Sequence, residues 1–278
     1  MSNFLSTLFE YGKCVFGNQS SPSTKPPLIY QFLTGVADFA IFTGRYFMEL
    51  IKPPYEFKEL LKQSYRIGLQ SLPLVGITGF IMGLVLTVQT RPTLAEFGAE
   101  SWLPAMISVS IVREIGPVIT ALICAGKVGS SIGAELASMR VTEQIDAMEV
   151  SGANPFKYII VTRVLATTLM LPILTVFNDI ISMLGSLAGV NIHGDVSFSL
   201  FFAQAFAQLS FTDVFPSLIK TIFFGFSIGL IACYKGYNAN KGTVGVGEAA
   251  NSSVVLTSLM VFIIDMLAVQ LTSLFIDT

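Results

Sequence analysis

Residues 72–90 read LPLVGITGFIMGLVLTVQT, a stretch that contains no charged side chain. A helix of about 20 apolar residues is long enough to cross the hydrocarbon core of a bilayer. Four further stretches are also predominantly apolar, although they contain isolated charges, and they lie at 102–125, 159–184, 214–234 and 254–276. The sequence therefore predicts an all-α polytopic membrane protein with five transmembrane helices.

The composition supports this class of protein and excludes several others. Among the 278 residues 53% are hydrophobic and only 12% are charged, about half the share in a soluble domain. The mean hydropathy is +0.70. These values exclude a soluble enzyme, a disordered chain and a disulfide-built secreted domain. The formal net charge of -2 provides no broad basic surface, so we expect no nucleic-acid partner.

The distribution of basic residues predicts the orientation in the membrane. If residues 52–70 are cytoplasmic, the alternation of five spans places 126–158 and 235–253 on the same side. Arg91 is then the one basic residue in the flanks on the other side. The cytoplasmic side has ten: Lys52, Lys58, Lys62, Arg66, Lys127, Arg140, Lys157, Arg163, Lys235 and Lys241. Basic flanks stay in the cytoplasm, so we expect a cytoplasmic N-terminus and a periplasmic C-terminus.

The region before the first span is expected to contain helices that do not cross the membrane. Residues 1–17 are typical of a short amphipathic helix, and the Ser- and Pro-rich residues 18–27 of a linker. There is no signal-peptide pattern in this extension. Residues 28–51 are apolar with a few charges, and residues 55–70 are amphipathic. We therefore predict interfacial helices over 28–70.

Charged side chains within the predicted spans are candidate functional residues, because each is costly in hydrocarbon. The five are Arg113, Glu114, Asp179, Lys220 and Asp265. Arg113 and Glu114 lie in mid-span before Gly116-Pro117, where Pro117 cannot donate a backbone hydrogen bond. Adjacent helical residues point about 100° apart, so at least one of the two faces a cavity or another helix. They form either a compensating structural pair or a polar station on a transport route. Structural pairing or snorkelling is expected for the other three charges.

Small residues recur every fourth position in two places, Gly79 and Gly83 in the first span and Gly129, Gly133 and Ala137 after the second. Such spacing lets helices approach closely. Packing within the chain is the favoured interpretation, and a homodimer contact is the alternative.

Residues 126–157 are too polar to span and too regular to be a loop. Apolar and charged side chains alternate until Asn154-Pro155 ends the pattern. We predict one or two amphipathic helices in the cytoplasm that dock a partner protein.

Motifs for chemistry are missing from the sequence. Gly126-Lys127 is followed by Val128, not by the Ser or Thr that a phosphate-binding loop requires. One histidine, His193, and three scattered cysteines (Cys14, Cys124 and Cys233) do not form a metal-binding pattern. We therefore expect no nucleotide site, no metal site and no catalytic residues in this chain.

The run REIGPVITALICAGKVGSSIGAELASMRVTEQIDAMEVSGANP, residues 113–155, closely resembles the signature of the MlaE/YrbE family. These proteins are the permease subunits of MCE-type ABC transporters, which move phospholipids between the two membranes of Gram-negative bacteria and in related plastids. The resemblance extends from about Tyr46 to the C-terminus, so residues 28–278 are expected to form one permease domain. It implies an interfacial elbow helix, five spans, a cytoplasmic coupling helix and a bacterial inner-membrane location.

The resemblance also implies partners and a role in outer-membrane lipid asymmetry. The expected partners are a second copy of the chain, a cytoplasmic ATPase that binds ATP and Mg, a ring of MCE proteins and, in many systems, a STAS-domain protein. No cofactor is expected in this chain.

The resemblance also implies, position by position, which residues of this chain line the lipid cavity and which couple to the ATPase. The lipid cavity lies between two copies, and its lining matches Leu86, Gln89, Leu94 and Phe97, with Arg113 and Glu114 matching the paired charges of the second span. The ATPase-coupling region matches Glu135, Arg140, Glu143 and Met148. The chain departs from some relatives at 248–253, which carries no basic residue.

Without the family resemblance, the residues leave two other functions to consider. An ion- or proton-coupled secondary transporter would use Glu114 and Asp265, and copurification of an ATPase would separate it from an ABC permease. An intramembrane enzyme would require a catalytic cluster, which the sequence does not offer.

Overall fold

The computed structural model describes residues 28–53, 56–192, 196–240 and 242–276. All regular structure in this part of the chain is helical, which confirms the predicted fold class. The helices are α1 Leu28–Ile51, α2 Phe57–Glu96, α3 Glu100–Val141, α4 Gln144–Val150, α5 Phe156–Asn191, α6 Phe198–Gln208, α7 Phe211–Tyr237 and α8 Thr243–Ile276. The predicted extension and linker, residues 1–27, lie outside the described residues.

Five of these helices, α2, α3, α5, α7 and α8, are long and apolar enough to cross a membrane. The five predicted spans are therefore confirmed, although each helix extends beyond its predicted apolar stretch. α5, for example, covers Phe156–Asn191 instead of 159–184. Backbone hydrogen bonds continue into the polar flanks because a helix ends where its capping residues end it, not where its hydropathy falls.

The predicted separate helix over 55–70 is wrong, because residues 57–70 form the first part of α2. That helix runs for 40 residues without interruption and contains both Pro73 and Pro92. Buried residues occur before the apolar stretch as well as in it, at Gln63, Ser64, Ile67, Gly68 and Ser71. The amphipathic pattern therefore reflects packing of this segment against neighbouring helices of the chain.

The chain divides into two compact units, Met1–Ile41 and Phe42–Thr278. The described part of the first unit is the N-terminal portion of α1. Within the second unit, aromatic contacts hold the C-terminal portion of α1. The ring of Phe42 packs edge-on against Phe156 at 5.1 Å and against Tyr234 at 5.4 Å, and the Arg45 guanidinium lies 4.3 Å above the Phe156 ring.

Glycines allow α2 and α5 to pack in backbone contact. A side chain at Gly83 would overlap the Ser182 carbonyl, and one at Gly185 would overlap the Phe80 carbonyl. Beside them, the hydroxyls of Thr87 and Ser186 are 2.8 Å apart. This geometry confirms that the small residues of the first span serve packing within the chain.

The prediction of separate cytoplasmic helices over 126–157 is wrong for residues 126–141, which belong to α3. α3 continues through Gly129, Gly133 and Ala137 to Val141 and packs against α7 and α8. A side chain at Gly133 would collide with Ser253, and one at Gly236 would collide with Gly133. Small residues let a helix that is polar in composition insert between two spanning helices. Only Gln144–Val150 forms a separate short helix, α4.

Candidate functional site

The middle of α3 contains a π-helical turn over Ile111–Ile115. The amide of Gly116 donates to the carbonyl of Ile111, five residues earlier, and Pro117 follows with no amide hydrogen. A single wide turn of this kind is frequent at functional sites, since it changes the directions of the side chains that it carries. Here it carries Arg113 and Glu114.

Arg113 pairs with the first turn of α7. Its Nη2 lies 3.0 Å from Oδ1 of Asp213, whose side chain is 9% exposed, whereas that of Arg113 is 48% exposed. Asp213 also closes a capping box, because its Oδ2 accepts from the Ser210 amide at 3.2 Å. The carboxylate thus fixes the start of α7 and one edge of the guanidinium at once.

Glu114 belongs to a second ionic cluster that joins three helices. Lys220 Nζ of α7 lies 2.8 Å from Glu114 Oε2 of α3 and 3.0 Å from Asp265 Oδ1 of α8. The Lys220 side chain is 5% exposed, so its charge is stabilised almost entirely by these two carboxylates. The structural pairing predicted for Lys220 and Asp265 is confirmed, and Arg113 and Glu114 both face other helices as expected.

A cavity of about 120 Å³ lies beside both ionic clusters. It is lined by Arg113, Glu114, Asp213, Lys220, Thr272 and Ser273, among others. Asp213 is in the first turn of α7, and Thr272 and Ser273 are near the end of α8, so the cavity lies toward the predicted non-cytoplasmic ends of these helices. Its volume suits waters or a small polar group, because drug-sized ligands occupy about 300–1,000 Å³.

The predicted lipid-lining residues of α2 fall into two sets. Leu86 and Leu94 are partly buried and pack on a cluster formed by Leu103, Ile107, Ile111, Val190, Phe201 and Ala205. Gln89 is exposed, and Phe97 is 80% exposed at the end of the helix. Within the described chain, no hydrogen bond joins Gln89 to Arg113 or Glu114. Gln89 is also not among the residues that line the cavity beside Arg113 and Glu114.

The predicted coupling residues are divided in the same way. Glu135 lies between two arginines, 3.1 Å from Arg66 of α2 and 3.0 Å from Arg163 of α5. Arg140 pairs with Asp146 at 2.6 Å. Glu135 therefore connects three helices of the chain, and Arg140 holds α4 to the end of α3.

Glu143 caps the start of α4, and Met148 lies within it. Glu143 has a left-handed backbone conformation, with φ of 57°, and begins the helix. Ile145 is completely buried and anchors α4, while Met148 is half-buried and Val150 is 91% exposed. A short anchored helix with exposed apolar and acidic side chains is thus available for a partner.

Three features were missed or misjudged from the sequence. α6, with the sequence FSLFFAQAFAQ, begins at the capping residue Ser197 but is too short to span. Asp213 was also missed, although Ser210 three residues earlier is the signal for a capping box. The pairing expected for Asp179 is wrong: its Oδ1 is buried against Gly116 and has no hydrogen-bond partner among the described residues. The missing side chain at Gly116 permits that approach.

Within the described residues, no three His, Cys, Asp or Glu side chains are grouped to hold a metal ion. Cys124 and Cys233 are buried as free thiols in the helix packing.

Comparison with known proteins assigns the family. Residues 60–271 match the family described as Permease MlaE. A probable ABC transporter permease protein of Rickettsia prowazekii is 38% identical over 242 residues, which cover 87% of this chain and 93% of that protein. A similarly named protein of Synechocystis is 36% identical over 223 residues, covering 80% and 84%, and one of Pyropia yezoensis is 39% identical over 206 residues, covering 74% and 78%. The chain therefore belongs to the MlaE family of ABC transporter permeases.

Proposed function

We propose that this ABC permease subunit moves phospholipids between the inner and outer membranes of a bacterium and so maintains outer-membrane lipid asymmetry. The observation that carries the proposal is the position of Arg113. Its side chain is half-exposed beside a polar cavity while it bonds Asp213. A guanidinium has five N–H donors, so the pair with Asp213 leaves donors for a phosphate group.

Glu114 has a different task in this proposal. Its bond to Lys220 holds α3 against α7, and its 38% exposure leaves one side of the carboxylate at the cavity. From there it positions the headgroup or forms part of the gate. A change in the distance between α3 and α7 would then alter the cavity and the headgroup contacts together.

The acyl chains need an apolar wall, and the outer half of α2 supplies one. Val85 and Val88 are 37% and 40% exposed, Phe97 is 80% exposed, and Leu86 and Leu94 fix the helix from behind. Gln89 adds one amide to this surface. In the proposed homodimer, the same surface of a second copy faces it and encloses the lipid.

Membership of an ABC permease family implies an ATPase partner and a membrane location. We propose that the ATPase binds ATP and Mg, docks on α4 and drives the cavity between two states. The ring of MCE proteins would receive or deliver the lipid at the periplasmic end, and a STAS-domain protein would bind the ATPase. The inner membrane is the proposed location, with a cytoplasmic N-terminus and a periplasmic C-terminus.

A photo-crosslinking experiment tests the proposed lipid path. A benzophenone side chain is placed at Gln89 or at Phe97, and the matched control is Ile173 of α5, which is 58% exposed on another helix. All three side chains are exposed in a single copy. Lipid in a transport path responds to the ATPase cycle, so crosslinking at Gln89 and Phe97 should change when ATP is added. An ATP response at Ile173 as large as at Gln89, or none at any position, would contradict the proposal.

The ion-coupled alternative is disfavoured by the family. In the structure, Glu114 and Asp265 share Lys220 as a common partner, so neither is a vacant cation ligand.

A further inference from the structure

A second polar pocket lies between α2 and α3 at their predicted cytoplasmic ends. Its volume is about 40 Å³, and the polar side chains that line it include Gln63, Arg66, Gln70 and Ser71 of α2 with Lys127 and Glu135 of α3. A single buried water needs a cavity volume of about 10–15 Å³, so the pocket has room for about three oxygen atoms. Gln70 is exposed at its edge, which leaves a route of entry.

The charges around this pocket do not balance. Glu135 is shared by Arg66 at 3.1 Å and by Arg163 at 3.0 Å, and Lys127 adds a third cation. Among the side chains that line the pocket, Arg66 and Lys127 are cations and Glu135 is a carboxylate, which leaves a formal excess of one positive charge. Outside the lining, Arg163 adds a cation beside Glu135, and Glu59, which accepts from Gln63 at 2.8 Å, adds a carboxylate. Arg163 is 6% exposed and shares Glu135 with Arg66, so Glu135 does not neutralise Arg66 alone.

The pocket also presents hydrogen-bond donors that the protein does not fully use. Ser71 is 1% exposed, and its Oγ is buried without a hydrogen-bond partner among the described residues. Lys127 Nζ donates to the Gln70 carbonyl, and an ammonium has three hydrogens to give. A buried hydroxyl without a partner costs free energy unless a ligand or water satisfies it. The complement to this set is an anion with several acceptor oxygens.

We propose that this pocket binds a phosphate group. Two sources share that chemistry, the headgroup of an anionic phospholipid in the cytoplasmic leaflet and free inorganic phosphate. The apolar stretch of α2 begins at Leu72, directly after the pocket, so the pocket lies at the predicted cytoplasmic surface of the membrane. Both a lipid headgroup and a free anion can reach that surface. Ser71 and Gln89 are about 27 Å apart along α2, so this site is separate from the proposed transport path and does not depend on it.

The test uses the purified full chain and two probes. Dihexanoyl phosphatidylglycerol represents the lipid, inorganic phosphate represents the free anion, and native mass spectrometry with titration calorimetry measures one-to-one binding. Lys127→Gln removes a charged donor, and Ser71→Ala removes one oxygen with little change in volume. Lys58→Gln is the matched control, since Lys58 is an exposed lysine of α2 outside the pocket.

We expect Lys127→Gln to weaken binding about tenfold, Ser71→Ala to weaken it severalfold, and Lys58→Gln to leave it unchanged. Lys127→Arg should restore part of the affinity if the variant folds normally. Binding of the lipid alone assigns the site to a headgroup, whereas binding of inorganic phosphate with the same variant pattern assigns it to the phosphate group itself. Wild-type affinity in both Lys127→Gln and Ser71→Ala, or equal losses in Lys58→Gln, would overturn the proposal.

Discussion

Lys220 Nζ lies 2.8 Å from Glu114 Oε2, although the two residues are 106 positions apart in the chain. Asp265 approaches the same ammonium from α8 at 3.0 Å. One buried lysine thus joins the three helices that surround the proposed headgroup cavity. This contact makes Glu114, one of the two candidate site charges of α3, part of the structural support of the cavity.

Replacement of Lys220 should destabilise the protein strongly. Lys220→Met leaves two carboxylates, 38% and 19% exposed, without their shared cation. Loss of one partner from a fully buried ion pair costs about 3–5 kcal/mol, and the partial exposure of the two carboxylates makes this an upper limit. The yield of monodisperse protein in detergent and its midpoint of thermal unfolding measure the effect. Lys235→Met, near the end of the same helix, is the control and should change little.

The triple replacement of Lys220, Glu114 and Asp265 by Met, Gln and Asn should recover much of that stability, since no unpaired charge remains. If Lys220→Met alone were as stable as the wild type, the ion cluster would not support the helices.

Gly83→Ala should weaken the contact between α2 and α5. A methyl group there would overlap the Ser182 carbonyl, which belongs to helix backbone and cannot rotate away. Forced overpacking of this kind typically costs about 1–3 kcal/mol. Gly247→Ala provides the control, because a side chain at Gly247 of α8 would meet nothing within 4 Å. Thermal unfolding that is equal in the two variants would argue against close packing at Gly83.

The predicted topology can be tested with single cysteines in a chain whose native cysteines are replaced by alanine. A cysteine at Glu100, the first residue of α3, should react with an impermeant maleimide added to the periplasmic side of intact cells. One at Asn240, between α7 and α8, should react only after the membrane is opened. The basis is the ten-to-one distribution of basic residues. Labelling of Asn240→Cys in intact cells would show that the orientation is opposite to the predicted one.

Substitutions on α4 should separate ATPase docking from folding. We expect Val150→Asp and Glu143→Lys to weaken copurification of the ATPase, because an added charge must be desolvated at an apolar contact and a reversed charge repels its partner. Val150 is 91% exposed, so the fold should tolerate its change. Ser138→Asp, at an exposed position on α3, is the comparison. Unchanged ATPase recovery with both α4 variants would remove α4 from the interface.

Hydropathy and charge predicted much of the fold because both act along the chain. Five apolar stretches and small residues at four-residue spacing were sufficient for the spans and for packing within the chain. The continuity of α2 was not predictable in this way, since its amphipathic first part resembles an interfacial helix until its buried face is known. α3 was misjudged beyond residue 125 for a related reason: Gly133 and Ala137 let a polar segment pack between α7 and α8.

The candidate site was only partly predictable. Position in the sequence identified Arg113 and Glu114 as unusual, but their partners Asp213, Lys220 and Asp265 are brought together by tertiary packing. Glu135 shows the same limit, because the family resemblance suggests a coupling role and only the structure shows its bonds to Arg66 and Arg163.

We propose that this permease binds phospholipid and moves it at the expense of ATP. The most direct measurement is the phospholipid bound, and transferred in an ATP-dependent manner, per assembled permease–ATPase complex, for the wild type and for Arg113→Gln. We expect bound phospholipid and ATP-dependent transfer in the wild type. Arg113→Gln removes one charged hydrogen bond of about 1.5–3 kcal/mol, so we expect it to lose at least a tenfold factor in transfer. Assembly yield is measured in parallel. If Arg113 only stabilises Asp213, the substitution lowers the yield of assembled complex, whereas a role in lipid binding lowers transfer per assembled complex. An assembled wild-type complex that hydrolyses ATP but neither binds nor transfers phospholipid would contradict the account.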